Sequence, residues 1–172
     1  MYLIITRNFP PEVGGMQNLM WGLTNSLSKI NMVKVFADFH ENHIEFDKKV
    51  SFSIERVKGP KILRKYRKSF LINDFIKQNT KINCLIADHW KSLENINTNK
   101  KKICLIHSKE INHKKGSWLN KRVLKVLNNI DYVVSNSKIE STGFEPKYSI
   151  ENGVRELIKG YRMIKHTDHK NF

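Results

Sequence analysis

Met1-Tyr2-Leu3-Ile4-Ile5-Thr6-Arg7-Asn8-Phe9-Pro10-Pro11-Glu12-Val13-Gly14-Gly15-Met16-Gln17 opens the chain. Tyr2 to Thr6 is a continuous apolar run, the pattern of a strand covered on both faces of a parallel sheet. A Pro-Pro pair turns the chain. Gly14 and Gly15 then precede helical spacing at Met16, Leu19, Met20, Leu23, Leu27 and Ile30. A glycine-bearing helix start is suited to an anion. Its first N–H groups lack internal partners, the helix dipole favours negative charge, and glycine has no Cβ to hold a phosphate away. The spacing is not Gly-x-Gly-x-x-Gly, so the dinucleotide fingerprint is not met. On local grounds a tight turn and helix start with no ligand is the favoured reading of the two glycines.

The alternation continues along the chain. Val33 to Phe39, Phe52 to Val57, Asn83 to Ala87, Lys102 to His107 and Tyr132 to Ser135 read as further strands, and Lys147 to Ile150 as a short seventh. Pro60 opens a helix that runs to about Asn79, since proline is tolerated in a first turn. Leu119, Val123, Val126, Leu127 and Ile130 give another helical stripe. Strand–helix alternation predicts an α/β fold: a doubly wound, mostly parallel, Rossmann-like sheet with helices on both faces. Residues 1–154 form the expected domain, and 155–172 a polar, basic tail.

Thirty-one Lys and Arg against sixteen Asp and Glu give a net charge of +15, which favours phosphorylated substrates, anionic lipid or nucleic acid as partners. Lys, Asn and Ile are all abundant, so part of that excess is compositional. The first residues lack a basic n-region and a cleavage site, and no run reaches the length of a membrane span. Cys84 and Cys104 lie in apolar strand-like runs and read as buried free thiols, in keeping with a cytoplasmic protein. No Cys/His spacing suggests zinc; neither a metal nor a resident cofactor is expected. RNP, KH and helix-turn-helix patterns are missing, which argues against specific nucleic-acid recognition.

Four stretches carry a family likeness. Phe9 to Met16 before an amphipathic helix resembles the opening of family 4 glycosyltransferases of the GT-B fold. Ile103 to Glu110 resembles their strand ending in His-Gly-x-Glu, with Ser108 at the glycine position. Val133 to Ser137 resembles their strand ending in a serine before a helix. Ile150 to Val154 resembles the Pro-Asn-Gly-Val stretch that leads into the second domain. The matches fall in family order over about residues 1–154. The resemblance implies the acceptor-side, N-terminal half of a retaining hexosyltransferase. The complete enzyme would move a sugar from a nucleotide-diphosphate donor to a sugar or lipid acceptor, usually without a metal. The family's second domain holds most of the donor and has no counterpart in the sequence. Its pair of glutamates seven residues apart does not occur after Gly153. The expectation is therefore a truncated chain or one half of a split enzyme, inactive alone, with a separate donor-domain chain as partner. A basic α/β polyanion-binding module and a non-enzymatic remnant stay open as alternatives.

Ligands of open α/β sheets sit beyond the carboxyl ends of the strands. The candidates there begin with Gly14 and Gly15, for the donor's phosphates. His107 is the catalytic candidate that the resemblance implies, through a hydrogen bond to a sugar hydroxyl or acceptor proton, with Glu110 orienting it or binding a hydroxyl. Asp88, His89 and Trp90 are acceptor-binding candidates, offering ring stacking plus polar groups. The competing reading makes Asp88 a helix cap and Trp90 a core anchor. On the helix after Pro60, Lys61, Arg64, Lys65, Arg67 and Lys68 are interspersed with Ile62, Leu63, Tyr66, Phe70 and Leu71. These five cations are candidates for contact with an anionic membrane at its inner face, against an ordinary solvated basic face.

Overall fold

The computed structural model describes residues 1–106, 111 and 113–135. They form β1 (Tyr2–Ile5), α1 (Gly15–Ser28), β2 (Val33–Asp38), α2 (His43–Lys48), β3 (Ser53–Val57), α3 (Lys61–Gln78), β4 (Cys84–Ala87), α4 (Trp90–Leu93), β5 (Lys101–Ile106), α5 (Trp118–Leu127) and β6 (Tyr132–Ser135). The six strands make one parallel sheet in the order β3-β2-β1-β4-β5-β6. This is the doubly wound, Rossmann-like α/β arrangement expected from the alternation. The expected strand at Lys147–Ile150 and the tail at 155–172 lie outside the described residues.

Side chains alternate between two cores. Leu3, Ile5, Leu85, Ala87, Cys104 and Ile106 point to the side packed by Ile72 of α3, Trp90 and Leu93 of α4, and Val123 and Leu127 of α5. Ile4, Val35, Ala37 and Ile86 point to the opposite side, packed by Met20 of α1 with Trp21, Leu27 and Phe46 of α2 around them. β1 and β4 contribute to both cores, which explains their unbroken apolar runs. Cys84 and Cys104 are free and buried. Burial, chiefly, pushes the Cys84 thiol up to about 11.

Two local readings need correction. Leu19 and Ile30 of the expected α1 stripe are about half exposed, while Gln17, Met20 and Thr24 are buried. Thr24 is tolerated inside because its hydroxyl donates to the Met20 carbonyl at 2.6 Å. The sequence reading also assigns no element between Phe39 and Phe52, where α2 lies. Its six residues are too few to sustain a helix alone. Phe46 holds it by packing at 6.2 Å from Phe9 and 5.1 Å from Trp21.

That aromatic cluster fixes the loop after β1. Phe9 is buried among Trp21, Phe46 and Phe52. Arg56 of β3 lies over the Phe9 ring at 5.6 Å, pairs with Asp47 at 2.7 Å and donates to the Pro10 carbonyl. The Pro-Pro turn, whose peptide bond is cis, is thereby tied to β3 before the chain enters α1.

Candidate functional site at the carboxyl edge of the sheet

The strand order reverses between β1 and β4. From β1 the chain passes to α1 on one face, and from β4 to α4 on the other, so a crevice opens beyond their carboxyl ends. Asp88 ties the two sides of this switch point together. Its Oδ2 accepts from the Thr6 hydroxyl at 2.7 Å, the Arg7 N–H at 2.9 Å and the Asn8 N–H at 3.3 Å. Its Oδ1 accepts from the Ser92 hydroxyl at 3.2 Å. Four acceptances occupy the lone pairs of a carboxylate, and Asp88 is 2% exposed.

Lys68 of α3 makes the second tie. It is 5% exposed, donates to the Thr6 carbonyl at 2.8 Å, and forms an ion pair with Asp38 at the end of β2. Burial pushes its pKa below the ordinary lysine value, and Asp38 opposes part of that shift. Arg64, one turn earlier on α3, pairs with the other Asp38 oxygen at 3.1 Å. It also donates from Nη2 and Nε to the Gly59 carbonyl at 3.1 and 3.3 Å. Gly59 has φ 120°, a conformation that favours glycine, and this turn directs its carbonyl toward Arg64.

On the far wall, Glu94 receives both the Nε and Nη2 of Arg122 and lies 3.5 Å from the Lys65 ammonium. The Arg122 hydrogen bonds, chiefly, hold the Glu94 carboxyl below its usual range, and Glu94 in turn raises Arg122. The Arg122 guanidinium lies 5.4 Å from the Trp90 ring and 5.0 Å from Trp118.

These walls enclose a cleft of about 320 Å³. Arg7, Arg64, Lys65, Lys68 and Lys91 line it, with Asp38 and Glu94 as its two carboxylates and Ser69, Ser92 and Asn95 as polar neutral groups. Both carboxylates are engaged by cations, so the cleft is positive overall. Arg7 is exposed at its rim and has no ion-pair or side-chain hydrogen-bond partner among the described residues.

The sequence candidates divide accordingly. Arg64, Lys65 and Lys68 gather in the cleft. The Lys68 ammonium is buried in the Asp38–Thr6 network, and Arg64 is turned inward to Asp38 and Gly59. The outward side of α3 is instead apolar: Ile62 is 82% exposed and Phe70 72%, with Leu63 and Tyr66 about half exposed and Arg67 also outward. The Lys61 side chain lies outside the described residues. Trp90 is wholly buried in the core, the position that the competing reading as a core anchor gives it. Asp88 has its oxygens filled by the strap across β1 and β4. His89 is buried and caps α4, its Nδ1 accepting from the Lys91 N–H at 2.9 Å.

Gly14 and Gly15 begin α1 but do not line the cleft. No side chain caps that helix start and its first turn carries no acid. Gly14 is extended, and a Cβ there would come within 2.3 Å of Gln17 Oε1, the end of a side chain that can move aside. Space around Gly15 is open to 4 Å. His107 and Glu110 lie outside the described residues. Sequence reasoning missed Arg7, Asp38 and Glu94. The rule that selects residues just beyond strand ends reaches Arg7 and Asp38, whereas Glu94 has no local signal. No family model matches the chain.

Proposed function

We propose that the chain is the acceptor-side half of a sugar-transferring enzyme that uses a nucleotide-diphosphate sugar. The observation that carries this reading is the positive cleft at the β1–β4 switch point, where open α/β sheets take ligands. The ordered motif resemblance over residues 1–154 supports the same conclusion. In that scheme the uncapped start of α1 at Gly15 faces the donor's phosphates, and His107 meets the acceptor and the transferred sugar. Charge developing on the leaving diphosphate is stabilised by α1's N–H groups and by residues of a donor-side domain.

The test is sugar transfer by the purified chain with uridine- and guanosine-diphosphate sugars, alone and mixed with a supplied donor-side domain. Transfer in the mixture alone, lost in His107→Ala, is expected. Transfer by the chain alone, or none in any mixture from a folded chain, refutes the proposal.

A second contact follows from the outward stripe of α3. Ile62, Tyr66 and Phe70 recur at four-residue spacing with Leu63 and Arg67 beside them. A row of exposed apolar side chains flanked by positive charge suits the surface of an anionic bilayer. Among the described residues no helix is long and apolar enough to cross a membrane, so this contact is peripheral, proposed for the inner face of the cytoplasmic membrane.

A further inference from the structure

The cleft's charge is not explained by the fold that surrounds it. Asp38 is held by Arg64 and Lys68, and Glu94 by Arg122 and Lys65, so no carboxylate in the lining remains to neutralise Arg7. Asp88, which accepts from the Arg7 N–H, is buried, and its oxygens are also taken by Thr6, the Asn8 N–H and Ser92. A guanidinium at the rim of a positive cleft presents forked donors suited to a phosphate. The walls that surround it are stiff. Lys68 is anchored to β1 and β2, and Arg122 is clasped by Glu94 between two tryptophan rings. Such preorganisation lowers the ordering cost of binding. A volume of about 320 Å³ matches a small ligand group and is too small for a nucleic-acid duplex.

We infer that this cleft binds the phosphate of a small phosphorylated acceptor, with Arg7 as its principal direct ligand and the Lys65 ammonium as a further contact. Assigning that phosphate to the acceptor rests on the proposed function; phosphate binding itself does not. The same chemistry is found on a soluble sugar phosphate and on a lipid headgroup, and the cleft recognises what the two share.

Isothermal titration of the full chain at low ionic strength, with glucose 6-phosphate and with a short-chain, water-soluble phosphatidic acid, tests the inference. Saturable binding at one site is expected for at least one ligand. The tighter of the two identifies the soluble or the lipid source. Arg7→Ala should weaken binding about tenfold, through loss of a charge-assisted bidentate contact, and Arg7→Glu should weaken it further. Lys29→Ala, which removes the same charge at the far end of α1, should leave binding unchanged. The Arg7 side chain has no ion-pair or hydrogen-bond partner among the described residues, so circular dichroism and melting of its variants should match the parent. Failure of both ligands to bind a folded chain overturns the inference, as does equal weakening by Arg7→Ala and Lys29→Ala. Neither titration involves sugar transfer, so an inactive transfer mixture beside intact phosphate binding refutes the enzymatic reading alone.

Discussion

Replacing Asp88 by alanine separates a structural strap from a ligand group. The carboxylate accepts from Thr6, Arg7, Asn8 and Ser92 at 2.7 to 3.3 Å, and its loss leaves those donors unequal. Thr6 and Asn8 keep each other, because the Thr6 hydroxyl also lies 2.8 Å from the Asn8 carbonyl and 3.1 Å from its N–H. Ser92 and the Arg7 N–H lose an acceptor, with water reaching the Arg7 side. Hydrogen bonds to a charged group contribute about 1.5–3 kcal/mol each, and partial repair brings the expected loss to about 3 kcal/mol. That is a large share of the roughly 5–15 kcal/mol that holds a domain together. In urea, with a slope near ~1.5 kcal/mol per molar, the midpoint should fall by about 2 M at unchanged slope. Asp88→Asn keeps the volume, one acceptor oxygen and a donor for the Ser92 hydroxyl, so it should cost only about 1 kcal/mol. If Asp88→Ala unfolds within about 0.5 kcal/mol of the parent, the strap reasoning fails, and Asp88 returns as an acceptor-binding group.

Lys68→Met should destabilise by about 3 kcal/mol in the same assay, because it leaves Asp38 half-paired and the Thr6 carbonyl without a donor. Glu94 is held below its usual pKa by Arg122, so the stability it contributes is complete above the ordinary carboxylate range. It is lost as pH falls through its lowered folded value, and Glu94→Gln should flatten that acid-side slope in pH-dependent melting. The native Cys84 thiol, buried and raised to about 11, should resist a thiol reagent at pH 8 and react once urea unfolds the chain; rapid native labelling would contradict its burial. Phe70→Ser should leave melting unchanged, since the ring is mostly exposed, yet reduce co-sedimentation with phosphatidylglycerol vesicles several-fold; undiminished binding would remove the α3 stripe from membrane contact.

The elements were legible where one periodicity dominates. The unbroken apolar runs of β1 and β4 announce strands buried on both sides, and Val123, Leu127 and Ile130 announce the inner face of α5 and the turn that follows it. α2 was not legible. Its helix depends on Phe46 meeting Phe9 and Trp21, contacts between residues distant in sequence. The candidate site was legible in place but not in detail. Strand ends point to the edge where the cleft opens, yet Asp88, His89 and Trp90 look alike in sequence whether they serve a sugar or the core.

The sequence by itself determined the α/β class, the positive charge and the basic character of α3, because each is a property of composition or local period. Only the tertiary structure decided the order β3-β2-β1-β4-β5-β6 and thereby which strand ends form a crevice. It also decided the orientation of α3. A helix carrying both apolar and basic stripes can expose either one, and the choice fell to Asp38 and the Thr6 carbonyl. These draw Arg64 and Lys68 inward and leave Ile62, Tyr66 and Phe70 outside. A buried partner supplied by another strand outweighs the local hydrophobic pattern there, and no reading of α3 alone contains that partner.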